Sequence, residues 1–382
     1  MRPLRITGGQ TLLPDGLTPD GDLLLADGRI QPQGRAGGSE AHFDATGLLV
    51  LPGIVDIHGD AFERQMQPSP GVDFPPDLAL RDTESQLLAN GITTAFHGVT
   101  LSWEPGLRSA DAWTRLMQAL EAGTWTCDMR VHLRWEAFNL DAIDIALEDI
   151  AAGRVHLLAF NDHTPSILHK LEDPVAGAKY SDRAGMKMDA FRALADRIGA
   201  RADSVPAGLE RLGAAARAAG LPIASHDDDS VARRTLFRGM GARICEFPLS
   251  EEVGHAARAA GDYVVMGSPN VVRGRSHLGW ASAALMAEAG VCNVLSSDYF
   301  YPAMARAALI LAGRGVLDLA QAWALISANP AAATGLTDRG TLAAGQRADV
   351  VVMDPAASRA VATIAGGKIA HLTVEGASRL KY

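Results

Sequence analysis

The sequence is poor in cysteine and lacks long apolar runs, and each shortage excludes a class of protein. Its 382 residues include three cysteines with no Cys-x-x-Cys pair, so we expect neither a disulfide framework nor a cysteine zinc site. No apolar run approaches the roughly 18 residues that a membrane span needs. Pro and Gly interrupt the first residues, so no signal peptide is expected. Together these features predict a cytoplasmic protein.

Basic residues are also in short supply. Lys and Arg number 35 against 44 Asp and Glu, which gives a net charge of −9. This balance argues against a nucleic-acid partner, and it means that any phosphate group must be bound by a local basic pocket. Hydrophobic residues make up 48% of the chain, enough for a full globular core. The sequence therefore predicts a globular protein with neither a nucleic-acid nor a membrane partner, and it leaves a homo-oligomer open.

Short apolar runs alternate with amphipathic segments through the middle of the chain. There are eight such runs, from GIVDIHGD to GVCNVLSSDYF, and each ends in polar or charged residues. Eight strand–helix units predict an α/β protein built on a (β/α)8 barrel of the TIM type. An open, doubly wound sheet is the alternative, but no GxGxxG phosphate loop follows the first strand.

The two ends of the chain differ from the middle because both consist of short strands and turns. We predict that residues 1–52 and 338–382 together form a small β-sandwich domain and that residues 53–337 form the barrel. One connection, residues 164–205, is far longer than the usual loop between a strand and a helix. An insertion of this length beside a barrel mouth is either a lid or a surface elaboration, and the sequence favours neither.

The ends of the predicted barrel strands carry residue types that bind metals. His58 and Asp60 lie two apart at the end of the first strand, so their side chains point to the same face. Later strands end in further imidazole and carboxylate groups, namely Glu136, Asp162, His163, His226, Glu246 and Asp298. Because these ends meet at one mouth, the donors predict a divalent-metal site. Salt bridges to Arg64 and Arg134 are the alternative explanation.

Cations suited to an anionic substrate follow the same strands. Arg64 lies just beyond the first strand, and Lys179 lies in the long insertion. The segment NVVRGRSH, after the seventh strand, contributes Asn270, Arg273, Arg275 and His277. Barrels often bind phosphate at this place, and the forked donors of arginine suit that role. These side chains are therefore the candidates for binding any phosphate groups that the substrate carries.

Several segments resemble the amidohydrolase superfamily: DIHGD on the first strand, ASHDDDS on the fifth, LSSDYFYP on the eighth and the tail RGTLAAGQRADVVVMD. More narrowly, HGDAFERQMQPSPGVDFP, VHLRWE and MGSPNVVRGRSHLG resemble the α-D-ribose 1-methylphosphonate 5-triphosphate diphosphatase family of phosphonate metabolism. The similarity runs over nearly the whole chain. Three features depart from most of the superfamily: Asp60 replaces a second histidine, Glu246 replaces a histidine, and RVHLLAFNDH has no bridging lysine.

The resemblance implies a hydrolase that splits its triphosphate substrate into diphosphate and α-D-ribose 1-methylphosphonate 5-phosphate. It implies one or two divalent ions, zinc foremost, with manganese or iron as alternatives. The implied ligands are His58, Asp60, Glu136, His163, His226 and Asp298. Asp298 is also the implied general base, and Asp162, Asp227 and Glu246 are expected to support the ligands from behind. Two other functions stay open: an amide hydrolase or deaminase acting on a small cyclic substrate, and a non-catalytic barrel scaffold.

Overall fold

The computed structural model describes residues 2–32, 40–69, 71–274 and 282–382. The strands are β1 (Leu4–Leu13), β2 (Gly16–Ala26), β3 (Arg29–Ile30), β4 (Ala41–Asp44), β5 (Leu49–Pro52), β6 (Ile54–Gly59), β7 (Ile92–Leu101), β8 (Asp128–Glu136), β9 (Leu157–Asn161), β10 (Ile223–His226), β11 (Ile244–Glu246), β12 (Tyr263–Gly267), β13 (Val294–Ser296), β14 (Val350–Asp354), β15 (Arg359–Ala365), β16 (Lys368–Leu372) and β17 (Leu380–Lys381). The α-helices are α1 (Glu63–Met66), α2 (Pro76–Ala89), α3 (Ala110–Ala122), α4 (Ile143–Ala151), α5 (Thr164–Lys170), α6 (Pro174–Arg183), α7 (Met188–Gly199), α8 (Val205–Ala218), α9 (Val231–Gly239), α10 (Glu251–Ala259), α11 (Ser268–Arg273), α12 (Ala283–Glu288), α13 (Ala303–Gly313), α14 (Leu319–Ala324), α15 (Ala328–Ala333) and α16 (Val374–Arg379). Within these ranges, none of the helices is long and apolar enough to cross a membrane.

Eight parallel strands, β6 to β13, pair in chain order and confirm the predicted (β/α)8 barrel. The first and last strands meet where Asp298 N donates to His58 O and Asp60 N donates to Asp298 O, both at 2.9 Å. Asp56 braces this closure, because its carboxylate accepts hydrogen bonds from Ser297 N at 3.0 Å and from Ser297 Oγ at 2.5 Å. The carboxyl ends of the first and last strands are therefore held side by side.

Both ends of the chain join one nine-stranded mixed sheet, which confirms that the two termini build the small β domain. Its main path runs β16, β15, β14, β5, β1, β2, β3, and β4 pairs with both β1 and β17. The strands are hydrogen-bonded as one continuous sheet, which buries one set of apolar residues in its own core and another set in a core shared with the barrel. Gly366 and Gly367 have φ angles of +55° and +80°, as a tight hairpin requires, and they join β15 to β16 as predicted.

The small sheet is attached at the amino ends of the barrel strands. Arg339 Nη1 donates to Asp128 Oδ2 at 2.6 Å, at the start of β8, and Trp323 Nε1 donates to Pro52 O at 2.9 Å. The opposite ends of the strands, where the predicted donors lie, are thus on the other side of the barrel from these contacts.

The long insertion is helical and consists mainly of α5, α6 and α7. It has an apolar core of its own, in which Phe191 is fully buried. Two contacts tie it to the loop after β7: Trp103 Nε1 donates to Thr164 Oγ1 at 2.8 Å, and Arg183 pairs with Glu104. The insertion therefore packs beside the carboxyl ends of the barrel strands.

A buried arginine, Arg234, supports the barrel wall around β10 and β11. Its guanidinium donates to Ser225 Oγ at 2.6 Å and to Asp262 Oδ2 at 2.9 Å, and it lies 3.5 Å from Asp228 Oδ2. Arg234→Ala leaves the buried Asp228 carboxylate without its cation, so we expect the free energy of unfolding to fall by about 3 kcal/mol. Urea unfolding measures this, with Arg233→Ala as the neighbouring control. A loss no larger than that of the control would contradict the prediction.

A second stability effect concerns mild acid and His156. Its largely buried ring accepts a hydrogen bond from Val131 N at 3.1 Å, and burial lowers the pKa of His156 from 6.5 to about 4. The unfolded chain binds this proton first, so stability is lost as the pH falls from 7 towards 4. His156→Gln keeps an acceptor but does not titrate, and its loss of unfolding free energy between pH 7 and pH 5 should be smaller by about 1–2 kcal/mol. Equal losses in urea unfolding of the two proteins would refute this.

Candidate active site

Glu246, at the end of β11, lies between three histidines at the bottom of the barrel mouth. Its Oε2 atom is 3.0 Å from His58 Nδ1, 3.3 Å from His226 Nδ1 and 3.8 Å from His132 Nε2. All four residues are buried, and the rings of His58 and His226 stack with centroids 5.1 Å apart. The sequence alone places Glu246 behind the ligands, whereas the structure brings its carboxylate into contact with two predicted ligands.

This place has the chemistry of a cation site. Three buried atoms of this cluster have no hydrogen-bond partner in the described structure: His58 Nδ1, His132 Nε2 and Glu246 Oε1. Burial lowers the pKa of His58 and of His226 well below 6.5 and raises the pKa of Glu246 to about 7. Neutral imidazoles around a carboxylate are ligands that Zn²⁺ prefers. His58, His226 and Glu246, here called the inner group, therefore fit a divalent ion.

A second set of donors, the outer group, consists of His163, His226 and Asp227. Asp227 Oδ2 is 3.6 Å from the Nε2 atoms of both histidines. On the other side of each ring, Nδ1 faces a carboxylate: Glu136 at 3.2 Å for His163 and Glu246 at 3.3 Å for His226. Metal-binding histidines commonly donate their second ring N–H to a carboxylate in this way. The outer group is also reachable from solvent, since the side chains of His163 and Asp227 are 31% and 27% exposed.

Glu136, at the end of β8, is held behind His163. Its Oε1 atom accepts hydrogen bonds from His163 N at 3.0 Å, Thr164 N at 3.1 Å and Thr164 Oγ1 at 2.9 Å. Burial opposes a charged His163, but hydrogen bonds to Asp227 and Glu136 outweigh it and raise the pKa of His163 to about 9. The structure places Glu136 in support of His163, and its role as a direct ligand stays a prediction.

Asp60 and Asp298 lie side by side where the barrel closes. Asp60 Oδ2 is 3.4 Å from Arg134 Nη1. Burial raises the pKa of Asp60 to about 6, and burial together with repulsion from Asp60 raises the pKa of Asp298 to about 8. A Cβ atom at Gly267 would lie 3.1 Å from Asp298 Oδ2, so this glycine leaves room for the carboxylate. A carboxylate whose pKa is near the working pH suits a general base.

Backbone strain marks the same strand ends. Asp227, Phe247 and Asp298 have φ angles of +57°, +52° and +54°. Such angles are uncommon for non-glycine residues and costly for a bulky one, and they cluster at functional sites. Phe247 directs its ring edge-on to His58 and His226, with centroids 4.8 Å and 5.2 Å away. The strained residue therefore packs against two of the inner ligands.

Two cations of the predicted substrate site both contact Tyr299, the residue that follows Asp298. Arg64 donates to Tyr299 O, and Arg273 Nη1 is 3.3 Å from Tyr299 Oη. Both arginines are exposed. Asn270, in the same helix as Arg273, has a buried Oδ1 atom without a hydrogen-bond partner in the described structure. The structure thus gathers three predicted substrate residues around one strand end.

Other predicted residues have different surroundings. Asp162 pairs with Arg233. The Lys179 ammonium lies over the ring of Tyr180, 4.9 Å from its centroid, so the contact that fixes it is within α6. The remaining two predicted residues, Arg275 and His277, lie outside the described residues.

The sequence interpretation underrated two residues of β8, His132 and Arg134. It did not place His132 among the predicted ligands, and it considered Arg134 only as a salt-bridge partner. Both alternate with Glu136 along the strand, so the period of two places all three on the inner face. That period was the available signal, because a strand that directs one predicted site residue inward directs its alternate neighbours inward too.

The barrel, the sheet from both termini and the donors at the strand ends define one class of protein. The profile of the amidohydrolase family matches residues 49–378, and the chain belongs to this family as one of its hydrolases. The α-D-ribose 1-methylphosphonate 5-triphosphate diphosphatase of Escherichia coli (strain K12) is 31% identical over an alignment of 299 positions, which covers 75% of this chain and 78% of that protein.

Solved structures show the same fold. A triazine hydrolase variant superposes with a TM-score of 0.65 at 15% identity, covering 97% of this chain and 94% of that chain. A 5-methylcytosine deaminase from Klebsiella pneumoniae superposes with a TM-score of 0.61 at 17% identity, covering 97% of each chain. At these identities the likeness concerns the fold alone.

Proposed function

We propose that this chain hydrolyses α-D-ribose 1-methylphosphonate 5-triphosphate to diphosphate and α-D-ribose 1-methylphosphonate 5-phosphate. The observation that carries the proposal is that Arg64 and Arg273 both contact Tyr299, directly after Asp298. Two forked cations beside a proton-accepting carboxylate suit a polyphosphate, whereas a neutral cyclic amide needs neither cation. The Escherichia coli relative, whose name states this activity, supports the choice of substrate.

The proposal includes one or two divalent ions, zinc foremost, with manganese or iron as alternatives. The outer group of His163, His226 and Asp227 is the proposed catalytic position, because it is partly exposed and carboxylates back both histidines. The inner group is the second position, in which His58 and Glu246 would be the ligands while His226 serves the outer group, because a neutral imidazole has one ring lone pair. A bound divalent ion would lower the pKa of a water molecule and stabilise negative charge on the phosphoryl oxygens.

The side chains of the protein then have separate tasks. Asp298 accepts the proton of the attacking water and can pass it to the departing diphosphate. As the water oxygen bonds to the α-phosphorus, the bond from that phosphorus to the bridging oxygen breaks. Arg64 and Arg273 hold the phosphate groups and offset the charge that builds on them, and Lys179 is a further predicted contact. Asp60 stays a predicted ligand.

³¹P NMR of α-D-ribose 1-methylphosphonate 5-triphosphate incubated with zinc-loaded protein tests the proposal. The expected result is loss of the triphosphate signals with matching growth of the diphosphate and 5-phosphate signals. Unchanged substrate would refute the proposal, and orthophosphate as the sole phosphate product would place the cleavage at another bond.

Two parallel measurements address the alternatives. Turnover of cyclic amides or aminopyrimidines in place of the triphosphate would favour an amide hydrolase or a deaminase. A chain that binds no divalent ion and stays inactive after metal addition would favour a scaffold.

A further inference from the structure

Arg134 lies where an ion in the outer group would bind His226. Its Nη2 atom is 3.0 Å from His226 Nε2, and its Nη1 atom is 3.4 Å from Asp60 Oδ2. The Arg134 side chain is only 7% exposed. A guanidinium is always protonated and can only donate, so His226 Nε2 must be the acceptor. The ring proton of His226 is therefore on Nδ1, which faces Glu246 Oε2 at 3.3 Å.

This is the arrangement that a metal-binding His226 would have, with a guanidinium in place of the ion. The proton on Nδ1 is directed to a carboxylate, and the lone pair on Nε2 points towards the mouth. His163 has similarly placed partners, because its Nδ1 faces Glu136 and its Nε2 faces Asp227, and its raised pKa means that it must release a proton before Nε2 can bind an ion. The three donors of the outer group thus converge on a region where Arg134 already supplies a positive charge.

A guanidinium and a divalent ion exclude each other here for two reasons. The single lone pair on His226 Nε2 can accept a hydrogen bond or coordinate an ion, but not both. Like charges a few ångströms apart in a buried place also repel strongly. Arg134 has a second partner, Asp60, which can keep the guanidinium within the mouth once it leaves His226.

We propose that Arg134 is the resident cation of the ion-free centre and that it competes with the divalent ion for His226 Nε2. Without an ion, its charge offsets the carboxylates gathered at the mouth. When an ion enters the outer group, Arg134 leaves His226 and keeps its contact with Asp60. Arg134 is in this sense a positioning residue that tunes ion affinity. The inference rests on the divalent-ion part of the proposed function and is independent of the substrate.

Arg134 could alternatively have a structural role, in which its hydrogen bond holds His226 in place for the ion. The two roles predict opposite effects of Arg134→Met, which keeps an apolar stem and removes the charge. Loss of that structural support weakens zinc binding. Loss of a competitor strengthens it, and we expect a gain of at least about tenfold because the ion no longer displaces a charge-assisted hydrogen bond. The ion-free variant should also have a lower Tm, since the carboxylates lose their cation.

Zinc affinity is measured by competition with a chromophoric chelator, and Tm is measured with and without zinc on the full chain. Arg130→Met is the matched control, because it removes an arginine from the other end of β8, where the partner is Asp128. The expected result is tighter zinc binding and a lower ion-free Tm for Arg134→Met, with wild-type affinity for Arg130→Met. Equal or weaker zinc binding by Arg134→Met would overturn the inference.

A second test needs no variant and compares crystal structures of the wild-type protein with and without zinc. The expected zinc-bound structure has the ion on His226 Nε2, with the Arg134 guanidinium moved off that atom and still beside Asp60. An ion on Nε2 with the Arg134 contact intact, or an ion that avoids His226, would overturn the inference. A wild-type chain that binds no zinc would instead refute the ion part of the proposed function. Tight zinc binding without turnover of the triphosphate would refute only the substrate assigned in the proposed function.

Discussion

Asp298→Asn is expected to lower kcat by about a thousandfold while the protein keeps its divalent ion. The amide has nearly the same shape but cannot accept a proton at neutral pH, and general-base catalysis typically contributes about 10²–10⁴ to a rate. The backbone at this position should be preserved, because Asp298 N and O already hold His58 and Asp60 across the closure. Asp298 also belongs to neither donor group among the described residues, which is why the ion is expected to stay.

The measurement pairs turnover, followed as diphosphate release, with the metal content of the same sample. Asp229→Asn is a suitable control, because this exposed carboxylate follows β10 and bonds the neighbouring Ser230 hydroxyl. Activity within about tenfold of the wild type in Asp298→Asn would show that another group is the base. Loss of the ion together with activity would instead identify Asp298 as a ligand, as the sequence resemblance implies.

The barrel could be predicted from the sequence because its signals are local. Each of the eight strands combines a short apolar run with a polar end, and each can be recognised without knowing its neighbours. The union of the two termini was predictable for a related reason, since both ends show the same short strands and turns. Contacts between distant strands carry no such local signal. The 3.0 Å approach of Glu246 to His58 depends on how the sixth and first barrel strands face each other.

The different roles of two glutamates, Glu136 and Glu246, could not be predicted from the sequence either. Glu136 and Glu246 both end a barrel strand and both are buried. Glu136 Oε1 has three donors because the chain turns into α5 directly above it, whereas Glu246 Oε1 has no hydrogen-bond partner in the described part of the chain. The difference that separates a supporting residue from a candidate ligand therefore comes from loop geometry, which residue type and spacing do not encode.

Arg134 is a third case, in which the sequence carried a signal that metal-site reasoning discounts. The alternation along β8 places the Arg134 side chain inward, but a positively charged guanidinium is not expected among the ligands of a metal ion. Its two hydrogen-bonding partners, His226 and Asp60, become neighbours only when strands one, three and five close into a barrel. The position of the side chain was predictable from the sequence, and its partners were not.

His226 is the one residue shared by both donor groups, so its replacement should weaken ion binding whichever group is used. We expect His226→Gln to lower zinc affinity and turnover by more than about a hundredfold, because even residues that only support a ligand contribute about 10–100-fold. His163→Gln should have a similar effect if the catalytic ion is in the outer group. His58→Gln, which alters only the inner group, should then lower zinc affinity and turnover by less than about tenfold.

Chelator competition and turnover measured on all three variants decide between the two positions. Equal losses for His58→Gln and His163→Gln would indicate that both groups hold ions. A large loss for His58→Gln with little for His163→Gln would move the catalytic ion to the buried inner group. That outcome would also contradict the competition for His226 Nε2, because an ion in the inner group leaves Nε2 to its hydrogen bond with Arg134. The ranking of these variants thus tests the ion position and, through His226, the competition by Arg134 as well.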